Sequence, residues 1–468
     1  MAGASGLVSV LEHGYIPPPL DHSDTEKLLH LTFFDMFWLN WPPLSRVYFY
    51  DLPCSKAEFT QTIVPQLKKS LAMTLKHYYY FSGNLIVPTS LSSHIAPAIR
   101  YLKGDSVYVV IAEFKGDASK GFKHVCGNHV RLIYDLLRLV PELPPGYTHG
   151  IENDRYVASP VLSVQVTLFP GQGFSVGFRN SHVIADGKSM SDFIRTWACI
   201  NAKQLRGEDD YDKINTLPFY DRSVIKDPKG IASIFLRESL PVANSHVSSP
   251  RAHHCRDLVQ ATLLINRVQI QGLKHLVTDQ YPQVSSFVVT CAYVWTCMAK
   301  TRMALQQFTY DKEEVKEHFV FMMDTRERLD PPVPSNYFGN AVVNCRCSLN
   351  TSLLVVEHEG FRNAVKEIRR VLDEKLNNEE GVVKGFEKVF DVIKASIMQH
   401  KFGVSGSPKF DYYSTDFGWG KPIKYEAVSE KFGLVGSRDS DGGLEIGVCF
   451  PKPEMEVFTA IFTQGLIS

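Results

Sequence analysis

A chain of 468 residues with fifty basic and fifty acidic side chains, and so no formal net charge, carries no electrostatic footprint for nucleic acid or a membrane surface as its main partner. Its 44% hydrophobic and 21% charged content is that of a soluble globular protein with core enough for two domains or three. Nine cysteines, odd in number and scattered without a Cys-x-x-Cys pair, fit free thiols in a reducing compartment better than disulfides or a zinc site.

The start of the chain, with Glu12 and His13 and no basic segment before a long apolar run, argues against a signal peptide. Val8 to Ile16 reads as a strand that ends at Pro17-Pro18-Pro19. Arg46 to Leu52, rich in tyrosine and phenylalanine, reads as another. From Ala57 to Tyr78 the pattern turns helical, with Phe59, Ile63, Val64, Leu67, Leu71, Leu75 and Tyr78 on one stripe. Ile99 to Phe114 is expected as a hairpin-like strand pair about Lys103-Gly104-Asp105-Ser106. Residues 141 to 156, punctuated by Pro141, Pro144, Pro145 and Gly146, read as an irregular loop.

Val161 to Phe169 and Phe174 to Phe178 form a predicted hairpin about Pro170-Gly171-Gln172-Gly173. The second strand runs into Asn180-Ser181-His182-Val183-Ile184-Ala185-Asp186-Gly187. A helix follows, since Met190, Phe193, Ile194 and Trp197 recur at helical spacing. His182 therefore sits between a buried strand and a helix, where a rigid scaffold can present a side chain to a pocket. Three readings of His182 and Asp186 stay open on spacing alone. They could be a core histidine beside a helix-capping aspartate, or a metal pair. The third reading is a general base whose loop the aspartate fixes. Gly187 and the preceding strand speak against the metal pair, which needs both side chains on one helical face.

Beyond Leu205 the charged, weakly patterned stretch 206–232 is the candidate crossover between a domain of residues 1–205 and one of 233–468. Val259 to Ile265 reads as a strand, Val268 to Val277 as a helix, and Ser285 or Ser286 as the N-cap of a buried helix reaching Arg302. The apolar core of that helix, Phe287 to Ala299, is too short to span a bilayer, so the cytosol is the expected compartment. A strand from Phe319 to Asp324 ends in Asp324-Thr325-Arg326-Glu327-Arg328. Helices from Phe361 to Leu376 and Val382 to Met398 follow. Strands at Phe410 to Ser414, Tyr425 to Val428 and Leu444 to Phe450 lead to a last helix from Glu454 to Thr463. Strands and helices mix in both halves, which gives an α/β class.

Several motifs match by letter only. Gly173-Phe174-Ser175-Val176-Gly177 spells the nucleophile elbow of serine hydrolases, but the elbow needs a strand-to-helix turn and Ser175 falls inside a strand. A serine esterase on Ser175 is nonetheless the alternative enzyme, and a non-catalytic binder of phenolic ligands the alternative non-enzyme. Asp416-Phe417-Gly418 spells a kinase triplet without the other kinase loops. His253-His254-Cys255 reads as a surface coincidence.

Two motifs in fixed order say more than either alone. His182-x-x-x-Asp186 near mid-chain and Asp416-Phe417-Gly418-Trp419-Gly420 near the end resemble the signatures of the BAHD family of plant acyl-CoA-dependent acyltransferases, over essentially the whole chain. Asn336-Tyr337-Phe338-Gly339-Asn340 is similar to a signature of the branch that acylates anthocyanins and other flavonoid or phenolic glycosides, with Ala341 where that signature has cysteine. Leu31-Thr32-Phe33-Phe34-Asp35 and Ser405-Gly406-Ser407-Pro408-Lys409 look like the same branch.

The resemblance implies two chloramphenicol-acetyltransferase-like domains joined by a long crossover loop, with a solvent channel between them. It implies a monomer with acyl-CoA as co-substrate, a phenolic glycoside as acceptor, and no metal or permanently bound cofactor. His182 would be the general base, and a group at Trp419, its indole or a neighbouring amide, would hold the oxyanion. Asp186 would pair with an arginine, for which Arg326 is the candidate. Asp416, Gly418 and Gly420 would be structural. Ser285, Ser286, Ser405, Gly406, Ser407 and Lys409 would contact CoA. The donor stays open between hydroxycinnamoyl, slightly favoured because Met190 and Phe193 are apolar, and malonyl, for which Lys188 is the available cation.

Overall fold

The computed structural model describes residues 7–19, 26–116, 121–150, 154–210, 214, 217–243, 257–305, 315–396, 399–428 and 432–466. Three sheets and the helices packed on them form a mixed α/β architecture. A six-stranded sheet runs in the order Val8–Ile16, Val107–Phe114, Leu162–Phe169, Gly173–Asn180, Leu44–Tyr50, Lys424–Val428. A seven-stranded sheet runs Val342–Asn350, Lys316–Asp324, His400–Ser405, Phe432–Gly436, Leu444–Pro451, Leu258–Ile265, Arg131–Leu132. A smaller sheet of five strands gathers Glu26–His30, Ala98–Leu102, Asn84–Pro88, Tyr156–Pro160 and Tyr147–His149.

Each large sheet ends in a strand from the opposite half of the chain. Lys424–Val428 closes the first sheet against Leu44–Tyr50, and Arg131–Leu132 closes the second against Leu258–Ile265. The exchange is pinned by buried ion pairs, Lys424 with Glu445 at 2.8 Å and Arg131 with Glu426 at 2.5 Å. Gln260 and Thr262 donate to the same carboxylate from the neighbouring strand. A buried carboxylate stays charged only when its oxygens have donors, and both oxygens of Glu426 do.

The hairpin ahead of His182 forms as read, Leu162–Phe169 against Gly173–Asn180. Every residue of its first strand is buried, because helices cover one face of the sheet and a second apolar cluster covers the other. In Leu44–Tyr50 the pleat sorts side chains by face. Tyr48 and Tyr50 join the main core, while Val47 and Phe49 join the second cluster.

Five readings need correction, the first being the irregular loop expected over 141–156, which carries the strand Tyr147–His149 paired with Tyr156–Pro160. Ala98–Leu102 and Val107–Phe114 do not pair with each other; they turn into different sheets, because each finds its ladder partners elsewhere. The helix expected over 57–78 is interrupted by a π-turn at Phe59–Ile63, just ahead of Pro65, which cannot donate to the ladder and crowds the turn before it. The helix expected from Val382 shrinks to Val389–Ala395, since Gly381 and Gly385 sit at φ of 82° and 76°. Phe410 to Ser414 is two 3₁₀ turns rather than a strand, broken by Asp411 at φ 42°. The expected triplet His253-His254-Cys255 lies outside the described residues. Among the described residues no helix is long and apolar enough to cross a membrane, and the described cysteines are free thiols.

Candidate active site

The buried strand Gly173–Asn180 delivers the chain to a short turn, and the helix Gly187–Leu205 takes it away. Asp186 is the N-cap of that helix; its Oδ1 accepts from the Ser189 N–H at 3.0 Å. Its other oxygen faces Arg326 at 2.8 Å and accepts from the Ala341 N–H at 3.2 Å. Both partners of this ion pair are 2% exposed. Arg326 also donates to the carbonyls of Tyr337 and Gly339, at 3.1 and 3.2 Å, and to Ser189 Oγ at 3.2 Å. Its planar fork thus ties Asp186, the helix start and residues 337–339 into one unit.

A second clamp grips the turn itself. Asn340 Nδ2 donates to the carbonyls of His182 and Val183, both at 3.0 Å. Asp35 Oδ1 accepts from Asn340, from the main-chain N–H at 2.9 Å and from Nδ2 at 3.1 Å. Arg222 reaches the same knot, donating to the Phe338 carbonyl at 2.7 Å and standing 3.7 Å from Asp35 Oδ2. Segments near residues 35, 186, 222, 326 and 340 therefore converge on the five residues that carry His182.

The imidazole of His182 lies flat on the indole of Trp38, ring centroids 3.5 Å apart and planes within 1°. A stack that close fixes the plane of the ring without spending its nitrogens. Both rings line a cavity of about 1690 Å³ whose walls come from both halves of the chain. Phe37 and Trp41 stand near Trp38. Arg46, Arg195 and Lys188 bring positive charge, and Tyr412 and Tyr425 add a stacked aromatic pair 3.9 Å apart.

Of the residues singled out from sequence, Ser405, Gly406, Ser407 and Lys409 line the same cavity as His182. Ser285 caps the helix Ser286–Ala304 through its Oγ, which accepts from the Val288 N–H at 3.2 Å. Neither Ser285 nor Ser286 is on the cavity wall, although the adjoining Phe287 is. Lys188 is tied to Asp192 at 2.6 Å, and Arg195 shares that carboxylate at 2.7 Å. Ser175 is fully buried within its strand and paired with Phe49 and Thr167, so it presents no nucleophile.

Trp419 is not brought to His182. Gly418 packs against Ala202 and Leu205, and the Phe417 carbonyl accepts from Asn201 Nδ2 at 2.6 Å. That is the C-terminal end of the helix whose N-terminus follows His182, about 22 Å away at 1.5 Å per residue from Gly187 to Ala202. Trp419 itself packs edge-on to Phe174. Asp416 Oδ1 accepts from the N–H groups of Gly418 and Gly420, at 2.7 and 3.0 Å, and both glycines hold positive φ. This is a structural turn, and the expectation of an oxyanion donor at Trp419 is corrected. Trp419→Phe is expected to spare kcat, where removing an oxyanion donor costs about 10²- to 10³-fold; a loss of that size in steady-state assays would restore its role.

Sequence reading missed Trp38, Asn340 and Asp35 as parts of the site. Asp35 and Asn340 lay in stretches singled out for resemblance, but nothing in their spacing tells that one side chain would hold the carbonyl of His182.

Residues 147–464 match the model of the family described as Transferase family. The chain is 37% identical over 478 residues to malonyl-coenzyme A:anthocyanin 3-O-glucoside-6''-O-malonyltransferase of Dahlia pinnata, covering 98% of both chains. It is 38% identical over 483 residues to phenolic glucoside malonyltransferase 1 of Nicotiana tabacum, covering 98% of this chain and 99% of that one. A coumaroyl-CoA:anthocyanidin 3-O-glucoside-6''-O-coumaroyltransferase of Arabidopsis thaliana is 31% identical over 485 residues, covering 100% of this chain and 99% of the relative. Among solved structures, vinorine synthase superposes with a TM-score of 0.69 at 19% identity over 96% of each chain, a likeness of fold.

Proposed function

This chain belongs to the Transferase family, the BAHD acyltransferases, and is an acyl-CoA-dependent O-acyltransferase; we propose that it moves a malonyl group from malonyl-CoA to a sugar hydroxyl of an anthocyanin, flavonoid or other phenolic glucoside, with His182 as general base. The observation that carries the reading is a histidine held by its own main chain and by a stacked indole on the wall of a cavity large enough for two substrates. The relatives named for malonyl transfer, at 37% and 38% identity, support the donor over the hydroxycinnamoyl group that the apolar helix stripe favoured.

An alcohol is too weak an acid to attack a thioester at neutral pH without a base. His182 takes the proton of the sugar hydroxyl as its oxygen adds to the thioester carbonyl. The tetrahedral oxyanion collapses, the C–S bond breaks, and the CoA thiolate leaves to be reprotonated by the imidazolium. Both substrates are bound together, and no acyl-enzyme forms. Asp186 and Arg326, engaged with each other and with main-chain groups, shape the loop. We read the segment of Ser405, Gly406, Ser407 and Lys409, which lines the cavity, as the contact for CoA phosphates, through main-chain amides and an ammonium. We read Ser285 and Ser286, off the cavity wall at the helix start that adjoins the cavity-lining Phe287, as further CoA contacts. Residues 206–232 are read as the crossover between the two halves.

The test is direct. Purified protein given malonyl-CoA or p-coumaroyl-CoA with cyanidin 3-O-glucoside is expected to yield the malonylated glucoside by mass spectrometry. Absence of acceptor-dependent thioester loss with either donor, across a panel of phenolic glucosides, would refute the assignment.

A further inference from the structure

Resting on the reading of the protein as a malonyl transferase, we propose that Arg46 is the receptor for the free carboxylate of the donor's acyl group. Arg46 is 6% exposed and lines the cavity. Among the described residues no carboxylate pairs with it. Among them its guanidinium donates to Asn180 Oδ1, at 3.3 Å, which leaves most of its five donors for another partner. Burying a cation without a counter-charge is costly. A site that keeps one on a cavity wall is built for an incoming anion.

Neighbouring carboxylates are spoken for. Asp192 is shared between Lys188 and Arg195. Glu426 comes from the strand beside Arg46, but it pairs across the ladder with Val47 and so projects from the opposite face, where Arg131 holds it. On its own face Arg46 stands with Tyr48, which packs on Tyr425 across the ladder, and Tyr425 in turn stacks on Tyr412.

Location selects which anion. The side chain that Arg46 binds belongs to Asn180, two residues ahead of His182 in the chain. In malonyl-CoA the carboxylate is one methylene from the carbonyl under attack, so its receptor has to lie beside the base. The CoA phosphates are separated from that carbonyl by the whole pantetheine arm. A hydroxycinnamoyl group offers no charge at all.

The experiment compares kcat/KM for malonyl-CoA and acetyl-CoA, which differ only by the carboxylate, in wild type, Arg46→Gln and Arg46→Lys. Arg46→Gln is expected to lower the malonyl-CoA value about 10- to 100-fold, the worth of a charged hydrogen-bonded contact, and to leave acetyl-CoA unchanged; Arg46→Lys should recover part of the loss. Equal losses with both donors, or none with malonyl-CoA, would overturn the proposal. Should the variants fail to fold, wild type can be given malonyl-CoA and its terminal amide, which lacks the charge. A preference for the acid by the same factor supports Arg46, and equal use overturns it. Wild type that consumes p-coumaroyl-CoA but not malonyl-CoA would overturn the Arg46 assignment and leave acyl transfer standing. Wild type that consumes no thioester would instead bring down the functional reading.

Discussion

His182→Ala is expected to lower kcat and kcat/KM for acyl transfer together, by about 10²- to 10⁴-fold, the usual worth of a positioned general base. The two constants should fall alike because the proton moves only in the transition state, so ground-state binding of either substrate loses little. Direct titration of CoA should therefore remain near the wild-type value. The base has to be neutral to act, so the acid limb of the pH–rate profile should also flatten. His182→Gln is a useful companion, because a planar amide can still lie on Trp38 while offering no base of comparable strength. Turnover within a few-fold of wild type in either variant would end the mechanism, whatever the products.

Arg326→Met carries the largest expected loss of stability. Removing the guanidinium leaves the Asp186 carboxylate buried, and the carbonyls of Tyr337 and Gly339 lose a donor as well. Breaking a buried pair from one side costs about 3 to 5 kcal/mol, to be read as a shift in the urea midpoint. Activity should drop further than the folded fraction does, because the released carboxylate is the N-cap at the end of the turn that carries His182. Arg326→Lys should not rescue it, since a point ammonium cannot serve two carbonyls, a hydroxyl and a carboxylate at once. A variant as stable as wild type would mean that the clamp rests on Asn340 and Asp35 alone.

How much of this was legible in the residues differs by element. The hairpin before His182 and the helix after it were readable because both faces of the strand and one stripe of the helix are buried, which leaves a clear apolar pattern. Arg326 as the partner of Asp186 came through resemblance, since no periodicity links residues 140 apart. The position of Trp419 was misread because closeness within a motif says nothing about which end of a long helix the motif covers. The stack of Trp38 on His182 and the grip of Asn340 on its carbonyl were beyond reach, being contacts between loops that carry no repeat. Glycines 381 and 385 were visible, but the apolar residues around them outweighed their effect in the reading.

The strand exchange between the two large sheets has a consequence for how substrates get in. Two lobes that each finish the other's sheet cannot swing apart like jaws without tearing backbone ladders at both margins and exposing raw edges to sticky encounters. Substrate entry is therefore expected to leave the scaffold beneath the cavity still. For the same reason, severing the polypeptide in the middle would yield two fragments that each lack a border strand, neither of them a self-sufficient module.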